Sequence, residues 1–185
     1  RDLMDDVTGA TGGNDIARGN SGDDAVVLSF ATPYTEIEGF EMQGGSDFVD
    51  LSASSRDFTI DLGDDDDWAI GGSGNDVLIG GAGSDTLEGG AGTDVFTITD
   101  LGSADLIVDF EEPVGLLFPT GVDQIDLTAV VALNLGENLD DHVGYDNATG
   151  ELTVDGSLAA TVETGSGGFA DEVEVIFANA SGAQE

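Results

Sequence analysis

Three aspartates spaced nine residues apart, Asp76, Asp85 and Asp94, are the residues of this sequence best suited to chemistry. They lie in the stretch GGSGNDVLIGGAGSDTLEGGAGTD, where each aspartate follows glycines and small residues and precedes a β-type pair. Glycine lets the backbone adopt left-handed conformations and turn its carbonyl oxygens inward. Calcium is a hard cation that takes roughly six to eight oxygens from carboxylates and carbonyls. Short carboxylates among accessible carbonyls therefore predict a series of calcium sites.

Nine-residue units of the pattern G-G-x-G-x-D-x-U-x, where U is a large apolar residue, recur along the chain. Three units match closely and four match loosely: the close ones are residues 71–79, 80–88 and 89–97, and the loose ones are residues 10–18, 19–27 and 62–70 and a solitary loop at 44–50. In the unit at residues 62–70, Asp65 occupies the fourth position, where the repeat has glycine. For the loose units, a turn that holds no metal is the alternative.

One unit predicts half a turn of a coil, with a loop that offers oxygens followed by a short strand. Loops eighteen residues apart then lie on the same side, so that Asp67 lies over Asp85 and Asp76 over Asp94 with an ion between each pair. Stacked at a strand spacing of about 4.8 Å, these carboxylates would repel each other without a cation. The candidate metal ligands are Asp15, Asp24, Asp47, Asp65, Asp67, Asp76, Asp85 and Asp94, with backbone oxygens from the loop glycines Gly72, Gly74, Gly81, Gly83, Gly90 and Gly92.

The elements that position these loops are short strands. The eighth residue of each unit is apolar, and these residues predict one buried stripe in a stacked parallel coil. They are Ala17, Val26, Val49, Ala69, Leu78, Leu87 and Phe96. Between the repeat groups, residues 28–61 predict an irregular section of elongated strands, for example DFVDL and DFTIDL.

The glycine-rich nine-residue repeat ends at Thr97. DLIVDF and VDQIDL predict two strands, VGYDNATGELTVDG predicts a β-hairpin because of its turn residues, and EVEVIFA predicts a last strand. No convincing amphipathic helix is evident. We therefore predict an all-β chain, with a calcium-binding coil at residues 1–97 and a β-rich capping region at residues 98–185.

The composition narrows the choice of partners. The 185 residues carry 39 acidic side chains against three arginines and no lysine, a formal net charge of −36. Nucleic acids and anionic membranes require a basic surface, so neither is expected as a partner. There are no cysteines and no apolar run of about 18 residues, which excludes thiolate metal sites and a membrane span. The first residues resemble no classical signal peptide and do not begin with methionine, so we expect a processed product or a piece of a longer protein.

Other motifs do not indicate catalysis. The single histidine, His142, has no accompanying nucleophile, and the zinc-protease motif H-E-x-x-H is absent. The window 140–151 has acidic first and twelfth residues, but Tyr145 replaces the glycine that an EF-hand loop needs. Trp68 is expected on the outer face of a strand. We therefore expect a protein that is not an enzyme.

The repeats are similar to those of RTX proteins (repeats-in-toxin), whose calcium-bound nonapeptides form a parallel β-roll. The stretch DLIVDF…VDQIDLTAV is similar to the capping segment that follows the roll in many members. This resemblance implies that Asp105 completes the last calcium site beside the loop at residues 89–94, with Asp100 as a weaker candidate. The resemblance also implies secretion through a type I exporter in an unfolded state, followed by folding outside the cell as calcium binds.

Two functions follow as expectations. The first is a secreted calcium-binding module with a structural or self-assembly role at the cell exterior, since the open ends of a roll are edges that another copy could extend. The second is a non-catalytic export and folding module belonging to a larger secreted enzyme, such as a protease or a polysaccharide-modifying enzyme, or to an adhesin. In the second case, an upstream domain of the same precursor would be the partner.

Overall fold

A computed structural model describes residues 15–28, 37–111, 122–133, 142–164, 174–176 and 178–179. The described residues form strands and turns and contain no helix. The strands, in chain order, are β1 (Asp15–Arg18), β2 (Ala25–Val27), β3 (Ile37–Glu41), β4 (Phe48–Asp50), β5 (Thr59–Asp64), β6 (Trp68–Gly72), β7 (Val77–Ala82), β8 (Thr86–Gly90), β9 (Val95–Thr97), β10 (Asp105–Ile107), β11 (Gln124–Asp126), β12 (Ala132–Leu133), β13 (Val143–Asp146), β14 (Glu151–Val154), β15 (Ser157–Val162), β16 (Glu174–Ile176) and β17 (Ala178–Asn179).

The chain alternates between two sheets, so that each strand pairs with the strand two places along. One sheet has the order β1-β3-β5-β7-β9-β11-β16 and is parallel throughout. The other has the order β13-β14-β15-β10-β8-β6-β4-β2 and is parallel from β15 to β2. This arrangement is a β-solenoid, and it confirms the predicted all-β parallel roll.

The core lies between the two sheets. Alternate residues of each short strand point inward, as the pleat requires, and all seven eighth-position residues are buried. Pairs of phenylalanines pack within this core: the ring centroids of Phe40 and Phe58 are 5.8 Å apart, and those of Phe96 and Phe110 are 6.3 Å apart. The stripe predicted from the repeat is therefore a single core to which both sheets contribute.

The section between the repeat groups continues the coil. Phe40 in β3 pairs in register with Ile60 in β5, and Val49 in β4 pairs with Ala69 in β6. Irregular loop lengths are accommodated outside the strands, because the strand register is kept on both sides. The elongated section thus supplies further turns of the same solenoid.

Both sheets also continue beyond Thr97. Strand β10 pairs with β8, and β11 pairs with β9, each in parallel. The predicted hairpin is present as the antiparallel pair β13–β14, and β14 pairs antiparallel with β15. The division of the chain at residue 97 stays a prediction. Within the described ranges, no helix has the length and apolar character needed to cross a membrane.

Candidate metal centres

Aspartates at the sixth position of successive turns stack along one edge of the solenoid. We call this row the first aspartate ladder; it consists of Asp24, Asp47, Asp67, Asp85 and Asp105. The backbone N–H of each member donates to Oδ1 of the next, with N···O distances of 2.7, 2.6, 2.9 and 3.1 Å along the row. The predicted position of Asp67 over Asp85 is therefore observed.

The opposite edge carries a second aspartate ladder of Asp76, Asp94 and Asp123. Asp76 N–H donates to Asp94 Oδ1 at 2.7 Å, and Asp94 N–H donates to Asp123 Oδ1 at 2.9 Å. The predicted stacking of Asp76 over Asp94 is thus also observed. In the turn before Asp76 the sixth position is held by Phe58, whose N–H donates to Asp76 Oδ1 at 2.7 Å.

In five ladder members the second carboxylate oxygen has no hydrogen-bond partner among the residues that the structure describes. These buried atoms are Oδ2 of Asp47, Asp67, Asp76, Asp85 and Asp94. A buried ionised carboxylate oxygen is costly to leave unsatisfied, and charged groups in protein interiors are usually paired or bound to a metal. The ladders therefore present a regular series of acceptor atoms, which a cation between successive turns would satisfy.

The pKa values of the ladder aspartates also indicate that a cation is needed between the carboxylates. Desolvation by burial, reinforced by nearby carboxylates inside and outside the ladders, raises the pKa of seven ladder aspartates well above the ordinary value. The pKa rises to about 6 for Asp47, Asp85 and Asp94, and to about 7 for Asp67, Asp76, Asp105 and Asp123. Without a metal, protons would have to offset this charge, and a divalent cation would do so at neutral pH.

Backbone carbonyls complete the donor set. A Cβ added at Gly71 would lie 2.5 Å from Asp76 Oδ2 and 2.7 Å from the carbonyl oxygen of Gly89 in the next turn. At Gly19 the same point lies 2.8 Å from Asp24 Oδ2 and 2.7 Å from the carbonyl oxygen of Met42. The first-position glycine therefore leaves room beside a carboxylate and a carbonyl from successive turns, which is the oxygen chemistry that calcium prefers.

The predicted loop glycines stack closely on the turn before. At Gly90, which has a φ of +95°, a Cβ would overlap the carbonyl oxygen of Gly72, so that only glycine fits. Positive φ angles or overlap with a preceding carbonyl oxygen are found at all six predicted positions, Gly72, Gly74, Gly81, Gly83, Gly90 and Gly92.

The predicted position of Asp105 is wrong in one respect. It lies over Asp85 in the first ladder rather than beside the loop at residues 89–94. Consecutive half-turns fall on opposite edges, so the unit after Asp94 returns to the edge of Asp85. Asp123 takes the expected place beside Asp94, and Asp100 accepts a hydrogen bond from Gly102 N–H at 2.9 Å outside both ladders.

Asp123 was missed by sequence reasoning, because it follows Asp94 by 29 residues rather than 18. The signal that could have found it is the D-x-I pattern of Asp123 and Ile125, which repeats the sixth and eighth positions of a unit. Asp123 also ends its ladder: its Oδ2 accepts the N–H of Glu111 at 2.7 Å, so both oxygens have protein donors. Asp109 likewise accepts the N–H groups of Gly89 and Gly90.

Three candidate ligands from the loosely matching units, Asp15, Asp24 and Asp65, differ in their contacts from the five aspartates with an unpartnered Oδ2. Asp24 begins the first ladder, and its Oδ2 accepts the N–H of Asn20 at 2.8 Å. Asp15 lies at the second edge, where its N–H donates to Glu38 Oε2 at 2.8 Å. The Asp65 side chain is exposed and accepts the N–H of Gly45 at 3.3 Å. Residues 10–14 of the first predicted unit lie outside the described residues.

His142 and Trp68 both have side-chain partners outside the ladders. His142 Nδ1 lies 2.8 Å from Asp155 Oδ1. Trp68 is 46% exposed and meets the Phe48 ring edge-on at a centroid distance of 5.5 Å, so its predicted place on the outer face is confirmed.

No group of three or more acidic, histidine or cysteine side chains converges anywhere in the described part of the chain. The ladders instead bring carboxylates together in pairs from successive turns. Each site must therefore draw the rest of its oxygens from the backbone, which explains why the loops are built of glycine.

Comparison with known proteins agrees with this geometry. The model of the RTX calcium-binding nonapeptide repeat matches the chain in four copies, at residues 10–28 and 61–96. No curated protein matches the chain. The chain thus carries RTX calcium-binding repeats, as predicted, and these repeats indicate a calcium-binding module.

The ladder aspartates and the first-position glycines would hold calcium between successive turns. When bound, calcium supplies positive charge that neutralises stacked carboxylates. In the five ladder members with an unpartnered Oδ2, Oδ1 accepts a backbone N–H from the turn before and so fixes its register, which leaves Oδ2 as the atom that would bind the ion. Asp47 belongs to this series although it lies outside the matched repeats.

Replacing Gly80 with alanine tests the space beside the carboxylate. Gly80 does not have a left-handed φ, so alanine adds no backbone strain, but its Cβ would overlap Asp85 Oδ2. We expect Gly80→Ala to raise the calcium concentration for half-maximal folding by about tenfold, equivalent to about 1.4 kcal/mol. Far-UV circular dichroism during a calcium titration measures this concentration.

Gly102→Ala is the matched control, because a Cβ there would be 3.8 Å from its nearest neighbour. Equal calcium midpoints for the two variants would contradict a site beside Asp85.

The metal-free protein should lose stability as pH rises. Seven of the ladder aspartates have a folded-state pKa raised to about 6 or 7, above the unfolded value of 3.8. The folded state therefore binds more protons than the unfolded state in this window. The stabilisation is complete below about pH 4 and is lost as pH rises through about 6 to 7. Urea midpoints measured in chelator between these limits check the sign; a midpoint that increases with pH would contradict it.

Proposed function

We propose that this chain is a secreted structural module without catalytic activity, which folds outside the cell when calcium binds between its turns. The observation that carries the proposal is the series of five buried carboxylate oxygens that have no hydrogen-bond partner within the described part of the chain. Each added turn brings another like charge into the series, so closure of the coil requires a cation. Extracellular fluids supply calcium at far higher concentration than the cytosol does.

The charge of the chain supports export in an unfolded state. A formal net charge of −36 opposes compaction when no cation is bound. An open chain suits passage through a narrow type I exporter, and binding of calcium on the far side becomes folding free energy. Calcium is therefore proposed as a structural component rather than as a signal.

The edges of the sheets support a role in assembly. The eight-stranded sheet ends in the antiparallel strands β14 and β13 on one side. On the other side, β2 and β1 are the outermost strands of the described part of the two sheets. Edge strands offer unpaired backbone groups to another chain. We propose that a second copy pairs with this edge, and the alternative occupant is an upstream domain of a longer precursor.

A calcium titration that follows circular dichroism and light-scattering mass together tests both parts of the proposal. We expect a coil-to-β transition, with the mass increasing at micromolar protein. A transition at constant mass would contradict self-assembly and favour the upstream domain as the occupant. Absence of a transition at millimolar calcium would contradict the folding role.

Secretion is tested separately in a host that carries a type I exporter. We expect the chain in the culture medium only when the exporter is functional. Equal amounts in the medium with and without the exporter would contradict this route.

A further inference from the structure

One turn of the second edge departs from the repeat at two positions together. In register, residues 54–58 correspond to residues 72–76, so Arg56 stands in the place of Gly74 and Phe58 in the place of Asp76. The carbonyl oxygen of Arg56 underlies Gly74 as the carbonyl oxygen of Gly74 underlies Gly92. The backbone of the turn is therefore kept, while both side-chain requirements of a calcium loop are lost together.

The preceding turn has an acid at the corresponding position. The pairing of Phe40 with Ile60 places Glu38 opposite Phe58. Glu38 Oε1 lies 2.9 Å from Arg56 Nη2, and Glu38 Oε2 accepts the N–H of Asp15 at 2.8 Å. One carboxylate thus contacts the turn before it through one oxygen and the turn after it through the other.

The guanidinium group of Arg56 lies over the ring of Phe58, with Cζ 5.5 Å from the ring centroid. A cation over an aromatic face is attracted by the negative face of the ring. Phe58 itself is buried, and its ring packs against Phe40. The guanidinium therefore contacts the sixth-position groups of two successive turns, a carboxylate on one side and an aromatic face on the other.

We propose that Arg56 supplies, between the Glu38 turn and the Phe58 turn, the positive charge that calcium supplies between other turns. This step of the solenoid then neither binds calcium nor needs it, and the calcium sites of the second edge begin at Asp76. The inference rests on calcium binding between the turns. It differs from a general stabilising ion pair because it fixes which step lacks an ion.

Arg18 provides a matched comparison. It also pairs with a glutamate of β3, with 2.6 Å between its Nε and Glu41 Oε2. Its side chain is 55% exposed and that of Glu41 is 40% exposed, and Glu41 does not occupy a sixth position. Exposed ion pairs of this kind contribute little to stability.

The test compares Arg56→Met with Arg18→Met in the full chain. Native mass spectrometry counts the calcium ions bound, and calorimetry gives Tm at saturating calcium. We expect Arg56→Met to lower Tm by about 4 °C or more, with no fewer ions bound, and the deficit to persist when calcium is raised a further tenfold. Arg18→Met should change Tm by no more than about 1 °C.

Three results would overturn the inference: an ion count lower by one in Arg56→Met, a Tm deficit that excess calcium removes, or equal Tm values for the two variants. If Arg56→Met does not fold, Arg56→Lys replaces it, since lysine keeps the charge but loses the planar group that lies over the ring. We expect a smaller Tm deficit for Arg56→Lys, again not removed by calcium; a deficit that calcium removes would overturn the inference here too. If the wild-type chain binds no calcium at all, calcium binding itself fails, and that result is distinguishable from these.

Discussion

Chelation of calcium at about pH 7.5 is expected to abolish most of the β structure of this protein. Each site held at about 100 times its dissociation constant contributes roughly 2.7 kcal/mol to folding. Three such sites would contribute about 8 kcal/mol, which is comparable to the entire stability of a typical domain. Removal of the ions would also leave ladder carboxylates stacked against one another in a buried environment.

Far-UV circular dichroism before and after chelation measures the loss, and calcium should restore the signal. Magnesium at the same concentration is the control. It demands a near-octahedral shell and keeps much of its water, so loops that offer carbonyls in fixed positions should not fold around it. A chelated protein that kept its β signal at this pH would contradict a calcium-dependent fold.

The second large effect is expected for Asp85→Asn, in the middle of the first ladder. Asparagine keeps an oxygen at Oδ1 for the N–H of Asp67, which is 2.9 Å away, and removes the negative charge. With calcium present, the sites on both sides of Asp85 should be weakened, and a loss of about 3 to 5 kcal/mol is expected from two sites. Without calcium, the sign should reverse, because burial and neighbouring acids raise the pKa of Asp85 to about 6 and its charge is unfavourable at neutral pH.

Urea unfolding measures both signs on one variant, with calcium at neutral pH and in chelator at about pH 6, where the metal-free chain is expected to be more stable. Asp66→Asn is the matched control, because Asp66 is the exposed fifth-position residue of the unit at residues 62–70 and its Oδ1 accepts the N–H of Ser84 at 2.9 Å. It loses the same charge outside the ladders and should change stability little with calcium bound. Without calcium its effect should be smaller than that of Asp85→Asn, since the Asp66 carboxylate only adds to the effect of burial on the pKa of Asp85. Destabilisation of Asp85→Asn by the same amount in both conditions would show that Asp85 acts only through its hydrogen bond.

The parts of the fold that could be predicted from the sequence are those governed by a strict period. Asp67, Asp76, Asp85 and Asp94 are spaced by nine, so their division between two edges and their stacking followed from the half-turn length. Buried eighth positions followed from the same period, since one inward residue in each short strand must be apolar.

The nine-residue period no longer predicts which aspartates meet where the loops change length. Asp24 and Asp47 are 23 residues apart, and Asp94 and Asp123 are 29 apart, yet their ladder contacts are as short as those of the regular turns. No count of residues predicts such a contact; it depends on strand pairing across the loop. The ion pair of Arg56 with Glu38 was hidden for another reason, because it required the register of β3 with β5 to be known.

The unequal loop lengths have a practical consequence. Successive turns are tied by carboxylate-to-amide contacts at the sixth position, and chain added between one such contact and the next leaves the contact unchanged. Foreign peptides inserted at those points would be displayed in a row along an edge, at intervals set by the strand spacing. The spacing of such inserts would be set by the ladder contacts alone, whatever length of chain lies between one contact and the next.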